Sequence, residues 1–206
     1  MHRPTDTALR TRARTLLEAM TARERWVYAV PRERGVEGVR AIALAQGLLA
    51  LPPATEGNAE SFAGASGTRL RVEDRPDLDV LLLEAEGSEA PTALAAILDE
   101  TGFYAQSTLL GTAFDVHDEE ADVALRTLAA MVAAWDKDWL DLFRLHLTAP
   151  EPALRQEAIA SLLAACAAAR ASDKASALLA EVRAAEKDEE VRRALDAALT
   201  SLRPGA

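Results

Sequence analysis

Cysteine is almost missing from this sequence. The one thiol, Cys166, leaves no internal disulfide to form, so nothing argues for a disulfide-stapled secreted scaffold. Histidine is scarce as well. With three histidines and one cysteine in 206 residues, a zinc site or a histidine-based catalytic triad is hard to assemble. No apolar run reaches the length of a membrane span. The opening M-H-R-P-T-D-T lacks the apolar core of a signal peptide. Together these absences lead to the expectation of a cytoplasmic protein that needs no metal and no other cofactor. What is present is ordinary globular material: 50% hydrophobic and 27% charged, in a chain long enough for one large domain or two small ones. Cys166 itself sits in the run L-L-A-A-C-A-A-A and reads as a small buried hydrophobe.

The net charge of −10 is unevenly spread. Residues 1–40 hold nine arginines and five acids, a net of +4. Residues 41–125 hold three arginines and 16 acids, a net of −13, and the remainder is close to neutral at −1. A strongly acidic middle repels phosphate backbones, which disfavours a nucleic-acid partner. It suits a protein partner with a basic surface. Within it Glu84, Glu86 and Glu89 stand without neighbouring Lys or Arg and are candidate contact residues for such a partner.

Hydrophobic periodicity sets out the elements. Leu9, Ala13, Leu16, Leu17 and Met20 recur at helical spacing after Thr5 or Asp6, and the run either continues through Trp26, Val27 and Val30 to Pro31 or breaks near Thr21. The arginines among them lie mostly off that stripe and read as a solvated face. A second helix spans about Gly35 to Leu51, stopped by Pro52-Pro53. Residues 52–68 read as a loop with only Phe62 to anchor it. Thr68 to Glu73 alternates, D-R-P-D turns, and Leu78 to Glu84 is a mostly apolar strand. A helix from Pro91 to Thr101 ends at Gly102, and Tyr104 to Val116, rich in β-favouring residues, reads as a further strand. Helices then follow over 118–135, 137–147, 152–169, 173–186 and 189–202.

Three local patterns invite chemistry. G-A-S-G-T at 64–68 suggests a phosphate loop, but it lacks the G-K-[ST] ending and no apolar strand precedes it. It also misses G-x-S-x-G, because Thr68 stands where the last glycine belongs. D-V-H-D-E-E-A-D at 115–122 offers a histidine and five acids, at poor ligand spacing. An N-cap at Asp118 with acids in the first helical turn accounts for it. Trp135, Trp139 and Phe143 form an i, i+4, i+8 stripe read as core between the α+β part and the helices after it. Trp139 is kept as a candidate partner contact as well. His146, on the same helix, has no catalytic partner in the sequence.

The strongest signal is an internal echo. Leu154, Arg155, Ala158 and Leu162 align with Val191, Arg192, Leu195 and Leu199. A fainter copy starts at Leu125 with Arg126, Ala129, Val132 and Ala133. The spacings are 29 residues (Leu125 to Leu154) and 37 (Leu154 to Val191), both in the range of helical-hairpin repeats. In each good copy the apolar positions share one helical face, and small residues there let a neighbouring helix come close. This pattern resembles the second helix of a HEAT repeat. The resemblance covers only the C-terminal half. It implies stacked antiparallel helix pairs, and an arginine that pairs with an acid of the neighbouring repeat.

The fold expected is therefore mostly α, of the α+β kind. Residues 1–117 form a helical N-terminal domain with a small antiparallel or mixed sheet, and residues 118–206 form HEAT-like helix pairs. HEAT-like proteins usually act as scaffolds, so the resemblance implies a non-enzymatic protein-interaction module: an adaptor, an inhibitor or an immunity-type partner. Two alternatives come with the same scaffold. One is a lyase or chaperone similar to phycobilin lyases, which no residue here specifically supports. The other is a nucleic-acid binder similar to some DNA glycosylases, whose basic concave faces have no counterpart in these near-neutral repeats.

Overall fold

The computed structural model describes residues 25–52, 59–64, 67–132, 137–169 and 173–202. The expected first helix around Leu9–Met20 and its arginines Arg10, Arg12, Arg14 and Arg23 lie outside the described residues, as does Trp135; Arg25, read with them as a solvated helix face, is on a strand and ion-paired. The chain divides into two compact units, Met1–Tyr104 and Ala105–Ala206.

Among its described residues the first unit holds a five-stranded antiparallel sheet and two α-helices. In chain order it holds β1 (Arg25–Pro31), α1 (Gly35–Ala45), β2 (Leu49–Ala50), β3 (Ala59–Ala63), β4 (Arg69–Arg75), β5 (Val80–Glu86) and α2 (Ala90–Thr101). The strand order is β1-β5-β4-β3-β2. The alternation of β4 and β5 fixes the register: Leu70 faces Ala85, and Val72 faces Leu83. On the same face β1 adds Trp26 and Val30, opposite Ala85 and Leu81, and β3 adds Phe62, opposite Leu70. These side chains, with Val39 and Ala43 of α1 and Leu94, Ile97 and Leu98 of α2, make one buried core. The remaining face carries a charged ladder described below. Gly87, at φ 103°, ends β5 where a Cβ would come within 2.9 Å of the Thr68 backbone, so only glycine lets the two segments meet.

Three expectations for this unit change. The helix expected over 35–51 ends at Ala45, because Gly47, at φ 78°, turns the chain and Leu49–Ala50 pairs with β3 instead. Arg25–Pro31 is a strand, not the tail of a helix. Trp26, Val27, Tyr28 and Val30 favour a pleated surface, and pairing along the whole of β5 satisfies their backbone. Residues 59–63, read as loop, also pair as a strand. Ala59, Glu60, Ser61 and Ala63 carry little β preference of their own; the cross-strand partner Leu70 and the burial of Phe62 hold them extended.

The second unit is helical: α3 (Gln106–Phe114), α4 (Ala121–Met131), α5 (Lys137–Leu147), α6 (Pro152–Ala169), α7 (Asp173–Ala185) and α8 (Glu189–Ser201). α3 corrects the strand expected at 104–116. The even-numbered β formers give way to a helical face of Leu109, Leu110 and Ala113, which packs on the helical core. The boundary between the units accordingly falls after Tyr104 and not after residue 117. Packing partners follow a simple rule. α3 lies on α4, α5 on α6, and α7 on α8; α4 also packs on α6 and α6 on α8, while α3 packs on α5 and α5 on α7. Three successive hairpins thus stack in two layers. The chain as described is mostly helical, with one antiparallel sheet on the N-terminal side. None of its helices is long and apolar enough to cross a membrane, among the described residues.

Candidate partner-binding surface

The three acids singled out from the sequence have different surroundings. Glu84 lies on the outer face of β5, half-buried, and accepts from Arg25 Nε at 2.5 Å. Arg71 Nη1 of β4 stands 3.8 Å from its other oxygen. Glu84 is therefore not an unmatched charge. Its cations come from strands, one of them 59 residues away in sequence. Glu86 is exposed at the end of β5, in register with Arg25 and Arg69. Glu89 is exposed just before α2 and makes no side-chain cap bond there.

The same offsetting runs through the unit. Arg40 of α1 donates to Glu60 of β3, through Nε at 2.9 Å and through Nη2, and to Glu37 at 2.7 Å. Arg32 donates to both oxygens of Asp74, at 2.6 and 3.1 Å, and that hydrogen bond holds the Asp74 carboxyl below its ordinary range. Arg71 pairs with Glu73 at 2.9 Å, and Arg75 with Asp77 at 2.8 Å. A shallow cleft of about 320 Å³ at the β4–β5 turn is lined by these same groups. Its charged side chains are already engaged in these ion pairs. Arg25, Arg32 and Arg40 thus offset Glu84, Asp74 and Glu60 of the acidic middle, which sequence proximity alone does not reveal.

In the helical unit Trp139 is 3% exposed and Phe143 is fully buried, both in the core of the hairpins. Trp139 accordingly leaves the set of candidate contacts. Of the aligned positions, Leu154 to Leu162 lie on α6 and Val191 to Leu199 on α8. Ala158, Leu162, Val191 and Leu195 are buried, while Leu154 and Leu199 are half-buried. The two arginines part ways. Arg155 donates to both carboxylate oxygens of Glu186, at 2.8 and 3.0 Å, and to the carbonyls of Ala149 and Pro150, each at 2.8 Å. Arg192 is exposed. Glu186, which stands in no sequence motif, sits in the turn between α7 and α8. It also accepts from the Lys187 and Asp188 backbone N–H groups at 2.8 Å each. Burial pushes its pKa up. Hydrogen bonds from Asp188, Arg155 and Lys187 outweigh that and hold the carboxyl below the ordinary glutamate value. A glutamate just past the last turn of a helix carries no special sequence signal. Its partner is fixed only when the hairpins stack.

The other chemical candidates resolve into structure. Asp115 Oδ1 accepts from His117 N at 3.2 Å and Asp118 Oδ1 from Glu120 N at 2.8 Å. The helix then starts at Ala121, three residues beyond the expected cap, and only Asp122 lies in its first turn. Among the described residues no group of three or more His, Cys, Asp or Glu side chains is placed to hold a metal ion. Cys166 is buried, and desolvation pushes its thiol up to about 11, so it is a packing residue and a poor nucleophile at neutral pH. His146 is buried too, with Nε2 at 2.6 Å from the Ala113 carbonyl; a carbonyl only accepts, so Nε2 carries the proton. Set beside known protein families, curated proteins and solved structures, the chain has no match in any of the three.

Proposed function

We propose that this chain is a non-enzymatic protein-interaction module, an adaptor, inhibitor or immunity-type partner working in the cytoplasm, and that its helical half is a HEAT-like stack. The observation carrying this reading is the two-layer stacking of three hairpins, with α4, α6 and α8 in one layer and the two aligned segments on α6 and α8. The Arg155–Glu186 pair links one hairpin to the next, the role the HEAT resemblance assigns to that arginine. The outward side of α6 carries Ala153, Ala160, Ala164 and Ala167 with Glu157 as its one charge, a face a protein surface can approach closely. α8, by contrast, exposes Glu189, Glu190, Arg192, Arg193 and Asp196, as a terminal capping repeat does.

The partner has a basic surface, met by Glu86 and Glu89, since Glu84 is held by Arg25 and Arg71. The test is affinity capture from the host, followed by association kinetics of the recovered protein against salt. Wild type and an E86K/E89K variant are compared. The association rate should fall steeply with salt for wild type and less for the variant, as screening shortens to about 8 Å at physiological ionic strength. A rate flat in salt and untouched by the reversals removes the acidic contact from the reading. A reproducible failure to recover any protein partner removes the reading itself.

A further inference from the structure

We infer that α3 is a detachable strap: it undocks as a unit while α4 to α8 stay folded. The observations come from its sequence, its packing and its one strong tether. α3 is nine residues long, Q-S-T-L-L-G-T-A-F, and Ala113 is its one buried residue. α4, of similar length, buries seven. The helix holds two threonines, a serine and an interior glycine, all weaker helix formers than alanine. Gly111 has no packing reason to be glycine. A Cβ built there meets nothing within 4 Å, and its φ lies outside the left-handed range. The N-cap residue, Ala105, has no side chain with which to cap the free N–H groups. Phe114, at the other end, is 43% exposed and contributes little anchorage.

Against this, one contact is strong. His146 of α5 donates through buried Nε2 to the Ala113 carbonyl at 2.6 Å. The carbonyl belongs to the last turn of α3, where no intrahelical N–H is available to it. Leu109 and Leu110 add partial burial on the helical core. A short helix of low propensity, held by two half-buried leucines, one alanine and one side-chain bond, belongs to the low-stability end of the fold. The other helices of the stack each bury a longer apolar face and do not share that balance.

Hydrogen exchange read by mass spectrometry on the full chain tests this. Amides of 106–114 should exchange at least tenfold faster than those in the interior of α4 and α6. G111A should slow exchange in α3 by about fivefold, the worth of a glycine-to-alanine change in a helix, and leave α4 and α6 unmoved. H146L removes the donor and should speed α3 selectively, while H146Q, which keeps an N–H at the same reach, should fall between it and wild type. Equal protection of α3, α4 and α6 in the wild type overturns the inference. So does a G111A effect spread evenly over all helices. If H146L does not fold, the wild-type and G111A measurements still decide.

Discussion

In the α+β unit several ion pairs join different elements of the sheet and the helix beside it, whereas in the helical unit packing joins helices one or two places apart. Arg25 meets Glu84, Arg32 meets Asp74, and Arg40 meets Glu60, at separations of 59, 42 and 20 residues. Arg25 reaches Glu84 only once β1 pairs with β5, and Arg40 reaches Glu60 only once α1 lies against the sheet. In the helical unit α6 touches α4, α5 and α8, and its buried positions are largely small: Ala158, Ser161, Ala165 and Cys166 beside Ile159 and Leu162. The first unit spends its charges on cross-strand partners on a partly wet surface. The second relies on close helix approach and a single well-shielded ion pair. Local sequence patterns are therefore good guides to α6, α7, α8 and the β4–β5 hairpin, and poor guides to β1, β3 and α3.

The largest expected effects come from the two cores. Phe62→Ala and Phe143→Ala each remove a fully buried ring, one per unit, and each should cost roughly 3–5 kcal/mol. Circular dichroism during denaturation should show the Phe143 variant losing helix signal earlier than wild type. An unchanged midpoint for either variant would break the assignment of that core.

Next comes Arg155→Met. It leaves Glu186 buried with two backbone donors but no cation. Breaking a buried pair costs about 3–5 kcal/mol, and the remaining N–H bonds place this one near the lower end. Urea denaturation of the variant measures it. A loss below about 1 kcal/mol would mean that the pair behaves like a surface contact.

The same pair sharpens the contrast through pH. Glu186 is held below the ordinary glutamate value of 4.5, so the unfolded chain takes up its proton first as pH falls. Its contribution is fully present above about 4.5 and is lost as pH drops through the lower folded value. The stability difference between wild type and Glu186→Gln should thus shrink on acidification below 4.5 and stay flat from there to neutrality. A difference that grows toward low pH would reverse the sign of the assigned shift.

The smallest effect is at Arg25–Glu84. Both side chains keep 25–30% of their exposure, so a double-mutant cycle to alanine should give a coupling of about 0.2–1 kcal/mol that fades with salt. A salt-independent coupling above 2 kcal/mol would show that the sheet ladder is shielded like Arg155–Glu186, erasing the difference between the units.

Local spacing along the chain is enough to place the helices expected at 152–169, 173–186 and 189–202, within a residue of their observed ends, the β4–β5 hairpin around its D-R-P-D turn, and the α2 helix ended by Gly102. Each of those depends on neighbours within one or two turns of chain, through apolar spacing, a proline or a glycine at the stop. Tertiary structure alone decided the rest. β1 is a strand because β5 offers it a full ladder, and β3 is one because Phe62 finds Leu70. α3 is a helix because Leu109, Leu110 and Ala113 have a helical core to lie on. The charge story turned for the same reason. Counting residues along the chain made Glu84 look unmatched, while folding brought Arg25 and Arg71 to it, because electrostatic pairing follows distance in space and not separation in sequence.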